Sequence, residues 1–412
     1  MSARTNVAGA SNYALQEAIS VYADEAYTTA KKLSGSGIVG SNPNIDTSSE
    51  TYIGQVKWYK PITPTINTAS LTDSNAGTTS TFSQDFLTYI KTVRTFGAQK
   101  VNLQQIITQE DGLAKIGRDF AEVRAQDEHN AILAVLKGVA LSEMLIGCGG
   151  GTAATLGLGG QTFTNEPTDT VRGFYVDLGA DKLIKDATAS IQGAARAENF
   201  LQAMGMAWKD YEPEYAYLVA SPAVVASLRS ANLVDSDRVE DGSVMFNTIF
   251  NGKLRLIQTR ASQGIDSTDL ARLAGGHGLS ITGVNTSFIV LPGALAMASL
   301  SIPEPVEIQR VAAAYQGGGT TSIWNRWGYV IAPAGYNWSG SAEAFPSDAD
   351  YGKVLSITGV PTLFKGTLGD EGSSNTLSNN AIAASSTAWV RGTWTRKATS
   401  VLSLGILPVF HA

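Results

Sequence analysis

The stretch DGLAKIGRDFAEVRAQDEHNAILAVLKGVALSEML, Asp111–Leu145, decides the architecture. Leu113, Ile116, Phe120, Val123, Ile132, Leu136 and Val139 hold the helical period, and Arg118, Glu122, Arg124 and Asp127 fill the remaining positions. At ~1.5 Å per residue such a helix approaches ~50 Å. Gly147 to Gly160 follows as a glycine-dense break.

On the N-terminal side, Phe86 to Val101 alternates, with Tyr89, Lys91, Val93 and Thr95 on one face. Gln55-Val56-Lys57-Trp58-Tyr59-Lys60 is a β-like patch ahead of it. Tyr52 to Val101 therefore reads as a long two-stranded excursion with a polar tip near Asp73–Thr79. Such a ribbon is marginal by itself in water, so it should lean on something else. Further upstream, Leu15, Ile19, Tyr22, Ala26, Ala30 and Leu33 make one apolar stripe on a helix over Asn12–Leu33. Ser34-Gly35-Ser36-Gly37 stops it with C-cap and linker chemistry. One short amphipathic helix cannot bury that stripe alone.

Beyond the glycine break the pattern is mixed α and β. Asp181 to Ala197 is helical, and Tyr215–Ala220 is a strand running into Ser221-Pro222, an N-cap followed by proline at the first helical position. Asn251-Gly252 marks a hairpin turn, because both residues tolerate the positive φ of a type I′ turn, and Lys253 to Gln258 is the returning strand. Ser287–Leu291, Val306–Val311 and Ile323–Ala332 are further strands, and Ala388 to Val409 ends with two strand-like runs. Trp324, Trp327, Trp338, Trp389 and Trp394 fall in the last quarter, which is expected to pack as one unit.

Composition narrows the function. The 412 residues carry 30 basic and 36 acidic side chains, a charged fraction of 16% against a usual ~25%. Hydrophobic residues are 43%, enough for a sizeable core and against a disordered chain. A net charge of −6 disfavours a tight grip on nucleic acid, which needs Lys or Arg at each phosphate. Met1–Asn6 lacks the apolar run of a secretory leader. No stretch reaches the ~18 apolar residues that span a bilayer. The reading is a soluble protein, and one cysteine, Cys148, places it in a reducing compartment.

The search for chemistry is empty. Gly35-Ser36-Gly37-Ile38-Val39-Gly40 matches a dinucleotide glycine pattern, but a helix precedes it where a strand is needed. Cys148 has no histidine in a protease-like spacing, and His129, His277 and His411 are scattered. Gln126 and Leu133 stand where metal motifs built on His129 would need Glu and His. Glu110-Asp111 and Asp235/Asp237 read as helix-start charge and loop solvation. No catalytic, cofactor-binding or metal residue is assigned, and no cofactor is expected.

The order of elements resembles the major capsid proteins of tailed bacteriophages, with the Hong Kong 97-type fold. Phe246–Thr259, Arg326-Trp327-Gly328-Tyr329 with Pro333, Gly335 and Trp338, and Leu377 to Leu404 are locally similar to segments of such coats. The resemblance implies an α+β fold: an N-terminal arm over 1–40, an extended β E-loop over 41–102, a peripheral domain with its spine helix over 103–174, a mixed α/β axial domain over 175–310, and a return to the peripheral domain with C-terminal strands over 311–412.

It further implies a non-enzymatic head protein assembling into hexamers and pentamers of an icosahedral shell in the host bacterial cytoplasm. The shell encloses double-stranded DNA in the virion. Partners are other copies, a portal, and separate scaffolding or cement proteins, with weak non-specific DNA contact and no membrane. The acidic balance suits a lining that does not hold DNA. Leu15, Ile19, Tyr22, Ala26, Trp58, Tyr59 and Tyr89 are the expected intersubunit contacts; Gly35, Gly37, Gly147 and Gly149 the expected hinges. Lys57 and Lys60 lie in the E-loop, but no motif licenses a cross-link there. An encapsulin-like compartment and a cytosolic hydrolase using Cys148 or a carboxylate pair are the alternatives.

Overall fold

The computed structural model describes residues 35–41, 44–48, 51–59, 84–101, 112–148, 176–177, 197–208, 213–230, 234–241, 244–259, 285–311, 319–338, 346–351, 354–358, 388–397 and 404–411. In chain order it begins β1 (Val39–Gly40), β2 (Ile53–Tyr59), β3 (Gln84–Val101), α1 (Gly112–Cys148) and β4 (Val176–Asp177). Next come α2 (Ala197–Trp208), β5 (Ala216–Ala220), α3 (Pro222–Ser230), β6 (Val234–Asp241), β7 (Val244–Ile249) and β8 (Leu254–Gln258). Then follow β9 (Asn285–Val290), β10 (Leu295–Ser299), β11 (Val306–Val311), β12 (Thr320–Pro333) and β13 (Tyr336–Trp338). The chain closes with α4 (Asp348–Tyr351), β14 (Val354–Thr358), β15 (Ala388–Gly392), β16 (Trp394–Arg396) and β17 (Ile406–His411). The fold is α+β, mostly sheet.

Two large sheets share one core. The first runs β1-β10-β12-β3-β2, with β11 also on β12; the second runs β4-β17-β9-β5-β8-β7-β6. The 37-residue α1 packs against strands of both, β12 and β3 of the first and β17 of the second. Its N-terminal half has one buried stripe, whereas Ala131 to Leu136 is buried on every side and Val139 and Ala140 likewise. A helix surrounded by protein needs apolar residues all round, which is why the sequence from Ala131 to Leu136 carries no charge. β5 is buried throughout, as a central strand covered on both faces should be.

Asp127, partly buried, and Glu128, fully buried, are both bound by neighbouring side chains. Trp327 Nε1 donates to Asp127 Oδ2 at 2.9 Å, and Arg94 pairs with the same carboxylate at 3.5 Å. Glu128 is 1% exposed and is held by Arg124, one turn back, at 3.2 Å. The face of β3 carrying Ile90, Thr92, Arg94 and Phe96 meets α1, with Phe96 edge-on to Phe120 at 5.5 Å between centroids.

The local turn signals hold. Ser221 Oγ accepts from Val224 N–H at the start of α3. Asn251 (φ 56°) and Gly252 (φ 88°) are the central pair of the β7–β8 turn, closed by Lys253 N–H on the Phe250 carbonyl at 3.3 Å. Phe250 also takes a positive φ, 59°. The segment predicted helical over 181–197 lies almost wholly outside the described residues. The helix observed there is α2, anchored by Trp208 Nε1 on the Leu404 carbonyl at 3.2 Å.

The two sheets draw strands from across the chain: β17 joins β9 and β4 in the second, while β10 and β11 pair with β12 in the first. Two local expectations change. Gly147 is not in a break, because α1 runs through it to Cys148. Of the late tryptophans, Trp327, Trp338 and Trp394 share one core, the last two with centroids 5.1 Å apart, whereas Trp324 is exposed, its ring lying over Gly97 of β3.

Candidate assembly surface

β3 changes partner along its length. Lys91 to Val101 lies against Val330 to Thr320 of β12, while Gln84 to Ile90 pairs only with β2 among the described residues. The β2–β3 pair is therefore a two-stranded ribbon leaving the first sheet at one corner. Near its root, Thr88 N–H donates to Asn337 Oδ1 at 3.0 Å. Farther out, Phe86 is 49% exposed opposite Lys57, and at the root itself Tyr52 is 41% exposed. Large apolar side chains are normally costly to leave in water, at about 25 cal/mol per Å² of apolar area.

The root itself is built from buried polar groups. Tyr89 takes the space of a side chain at Gly54, where a Cβ would lie 2.3 Å from the Tyr89 ring. Its hydroxyl accepts Asp46 N–H at 2.8 Å, and burial raises its pKa. Lys91, with a 1% exposed side chain, donates to Asp46 Oδ2 at 2.7 Å and to the Ser48 carbonyl at 2.6 Å. The Lys91 ammonium, and next the Ser48 N–H and hydroxyl donated to the same carboxylate, hold the Asp46 carboxyl down at about 2.

Tyr89 is thus a correction to the expected contact set: it is 1% exposed within one chain, packed with Ile45, Val56, Leu300 and Val330. Alternation alone made it equivalent to an outward residue; the glycine opposite, at position 54, is the signal that was missed. Trp58 and Tyr59 end β2 opposite Asp85 and Gln84. Leu15, Ile19, Tyr22, Ala26 and Gly149 lie outside the described residues. Gly35 and Gly37 sit in a turn whose Ser36 and Ile38 are buried, and Gly37 accepts Gly293 N–H at 2.8 Å. A pivot at Gly37 would have to break that bond.

A second buried polar group joins α1 to the C-terminal strands. Arg396 Nη1 meets Glu143 Oε2 at 3.0 Å, both side chains at 1% exposure or less. Burial, and next the Glu143 carboxylate, hold the Tyr336 hydroxyl well above the ordinary phenol range. Sequence reading missed this pair because its members are 253 positions apart.

For the chemistry alternatives, Cys148 is the last residue of α1, His129 lies within α1 and His411 ends β17. Among the described residues no three His, Cys, Asp or Glu side chains gather as metal ligands. No described helix is long and apolar enough to cross a membrane.

No protein-family model matches this chain. No curated protein matches it either. Solved structures similar to it include the capsid of Ralstonia phage GP4, with a TM-score of 0.48 and 10% identity over 73% of this chain and 84% of that one. The acidic stable capsid of Helicobacter pylori bacteriophage KHP30 has a TM-score of 0.42 and 9% identity over 93% and 91%. The head of Helicobacter pylori bacteriophage KHP40 has a TM-score of 0.41 and 10% identity over 78% and 89%.

Proposed function

We propose that this chain is the building block of a phage head: a major capsid protein of Hong Kong 97 type whose copies form the hexamers and pentamers of an icosahedral shell around double-stranded DNA. The observation that carries the reading is the ribbon. Two strands leave the body sheet with Phe86 and Tyr52 exposed, and two strands alone are marginal in water. A neighbouring copy is the surface that would cover them. The order of ribbon, 37-residue helix and mixed sheet agrees with the likeness seen in the sequence.

In this reading the peripheral domain is the first sheet with α1, and the axial domain is the second sheet including β17. The arm stripe of Leu15, Ile19, Tyr22 and Ala26, with Trp58 and Tyr59 of the ribbon, seats on neighbours. A portal and separate scaffolding or cement proteins complete the particle, which assembles in the bacterial cytoplasm. DNA touches the wall weakly and without sequence preference, in keeping with a net charge of −6. The role is structural rather than enzymatic.

Sedimentation velocity and negative-stain microscopy of the full chain expressed in bacteria test this. Shells, or hexamer- and pentamer-sized rings, are expected. A monomer at every concentration would overturn it.

A further inference from the structure

Lys91 stands at a fork. It is the last β3 residue opposite β12, facing Val330, and the adjacent Ile90 already faces Ile53 of β2. A backbone bond from Lys91 N–H to the Tyr52 carbonyl, 2.8 Å, crosses at the split. The surroundings are apolar: Tyr89, Val56, Ile45, Leu300 and Val330. An aliphatic side chain would satisfy that packing. An ammonium buried there is costly unless its donors are filled.

They are filled by one short segment. Nζ reaches Asp46 Oδ2 at 2.7 Å, the Ser48 carbonyl at 2.6 Å and Ser48 Oγ at 3.4 Å, with Thr51 Oγ1 at 3.5 Å. Tyr89 holds the same segment by accepting Asp46 N–H. Asp46 in turn fixes Ser48 through Ser48 N–H and Oγ–H, both at 2.9 Å. The Thr47 carbonyl accepts Ser301 N–H at 3.0 Å, tying the segment to the chain after β10. Residues 44–48 follow β1, which is pinned to β10, so they are the tether between the N-terminal part of the chain and the ribbon root.

We propose that Lys91 and Asp46 form a latch that fixes the ribbon's angle to the body and couples it to residues 44–48. With the latch closed, β2 and the outer half of β3 continue the body sheet. With it open, the ribbon pivots at Ile90–Lys91. Lys91 is a positioning residue in this device, which stands independently of the shell reading.

Hydrogen exchange by mass spectrometry on the full chain tests it, comparing wild type, Lys91→Met and Asp46→Ala in the same assembly fraction. Amides of 53–59 and 84–90 should exchange at least tenfold faster in both variants, with 44–48 loosened too. Amides of α1 over 131–140 and of β5 and β9 should keep their wild-type rates. An unchanged ribbon overturns the latch, as does faster exchange confined to 44–48 or spread evenly over the chain. Lys91→Met puts an aliphatic side chain into apolar surroundings, so it decides the matter even if Asp46→Ala, which strands the buried ammonium, does not fold.

Discussion

Gly138 of α1 lies directly under the Tyr351 carbonyl: a Cβ there would sit 2.1 Å from that oxygen and 2.8 Å from Trp394 Cδ1. The carbonyl cannot retreat freely, because it also accepts Thr393 Oγ1 at 2.6 Å and Trp394 Nε1 at 3.2 Å. Close approach of the C-terminal strands to α1 therefore depends on a residue without a side chain. Gly138→Ala should lose at least the ~1–3 kcal/mol of ordinary overpacking, despite the ~1 kcal/mol that alanine gains in a helix. Urea unfolding followed by tryptophan fluorescence measures it.

Gly205 on α2 is the opposite case, with no atom within 4 Å of the place a Cβ would take. Gly205→Ala should stabilise by roughly 0.5–1 kcal/mol through helix propensity alone. The same unfolding curve reads it, and a loss would show that α2 is packed more tightly than described.

The buried Glu143–Arg396 pair calls for a double-mutant cycle. Removing one member strands a charge in the core, at about 3–5 kcal/mol. Glu143→Leu and Arg396→Met should each show that loss, and the two combined should recover most of it. Additive losses in the double variant would mean that the two charges do not interact.

The Asp46 carboxyl sits near 2 rather than its ordinary 3.8. A depressed carboxyl stabilises the fold above its unfolded value and loses that contribution as pH falls through the folded one. Exchange protection at the ribbon root should thus be flat from neutral pH down to about 4 and decline between about 4 and 2. Asp46→Asn should remove that decline.

Assembly should fail before folding does when the exposed limbs are charged. Phe86→Asp, and separately Ile19→Asp with Tyr22→Asp, should leave circular dichroism unchanged and cut pelletable particles at least tenfold. Normal particle yield from either would remove that limb from the interface.

The elements that announce themselves locally were legible in the sequence. α1 was visible in its apolar period, α3 in Ser221-Pro222, and the β7–β8 turn in Asn251-Gly252, since caps and turns act over a few residues. Pairing between distant strands was not. Nothing near Ile406 signals that β17 crosses to β9 and β4, and alternation along β3 cannot say which face meets α1. Tyr89 was misplaced for that reason. Its burial depends on Gly54, 35 positions earlier, and the glycine carries no hydrophobic signal of its own.

An electron cryomicroscopy map of the assembled particle, at a resolution that traces β2 and β3, tests the proposed role most directly. The ribbon of each subunit should lie across the body of a neighbouring copy, with Phe86 and Tyr52 covered by it. A ribbon folded onto its own subunit, or a preparation that never rises above the monomer, would contradict a shell held together by these limbs.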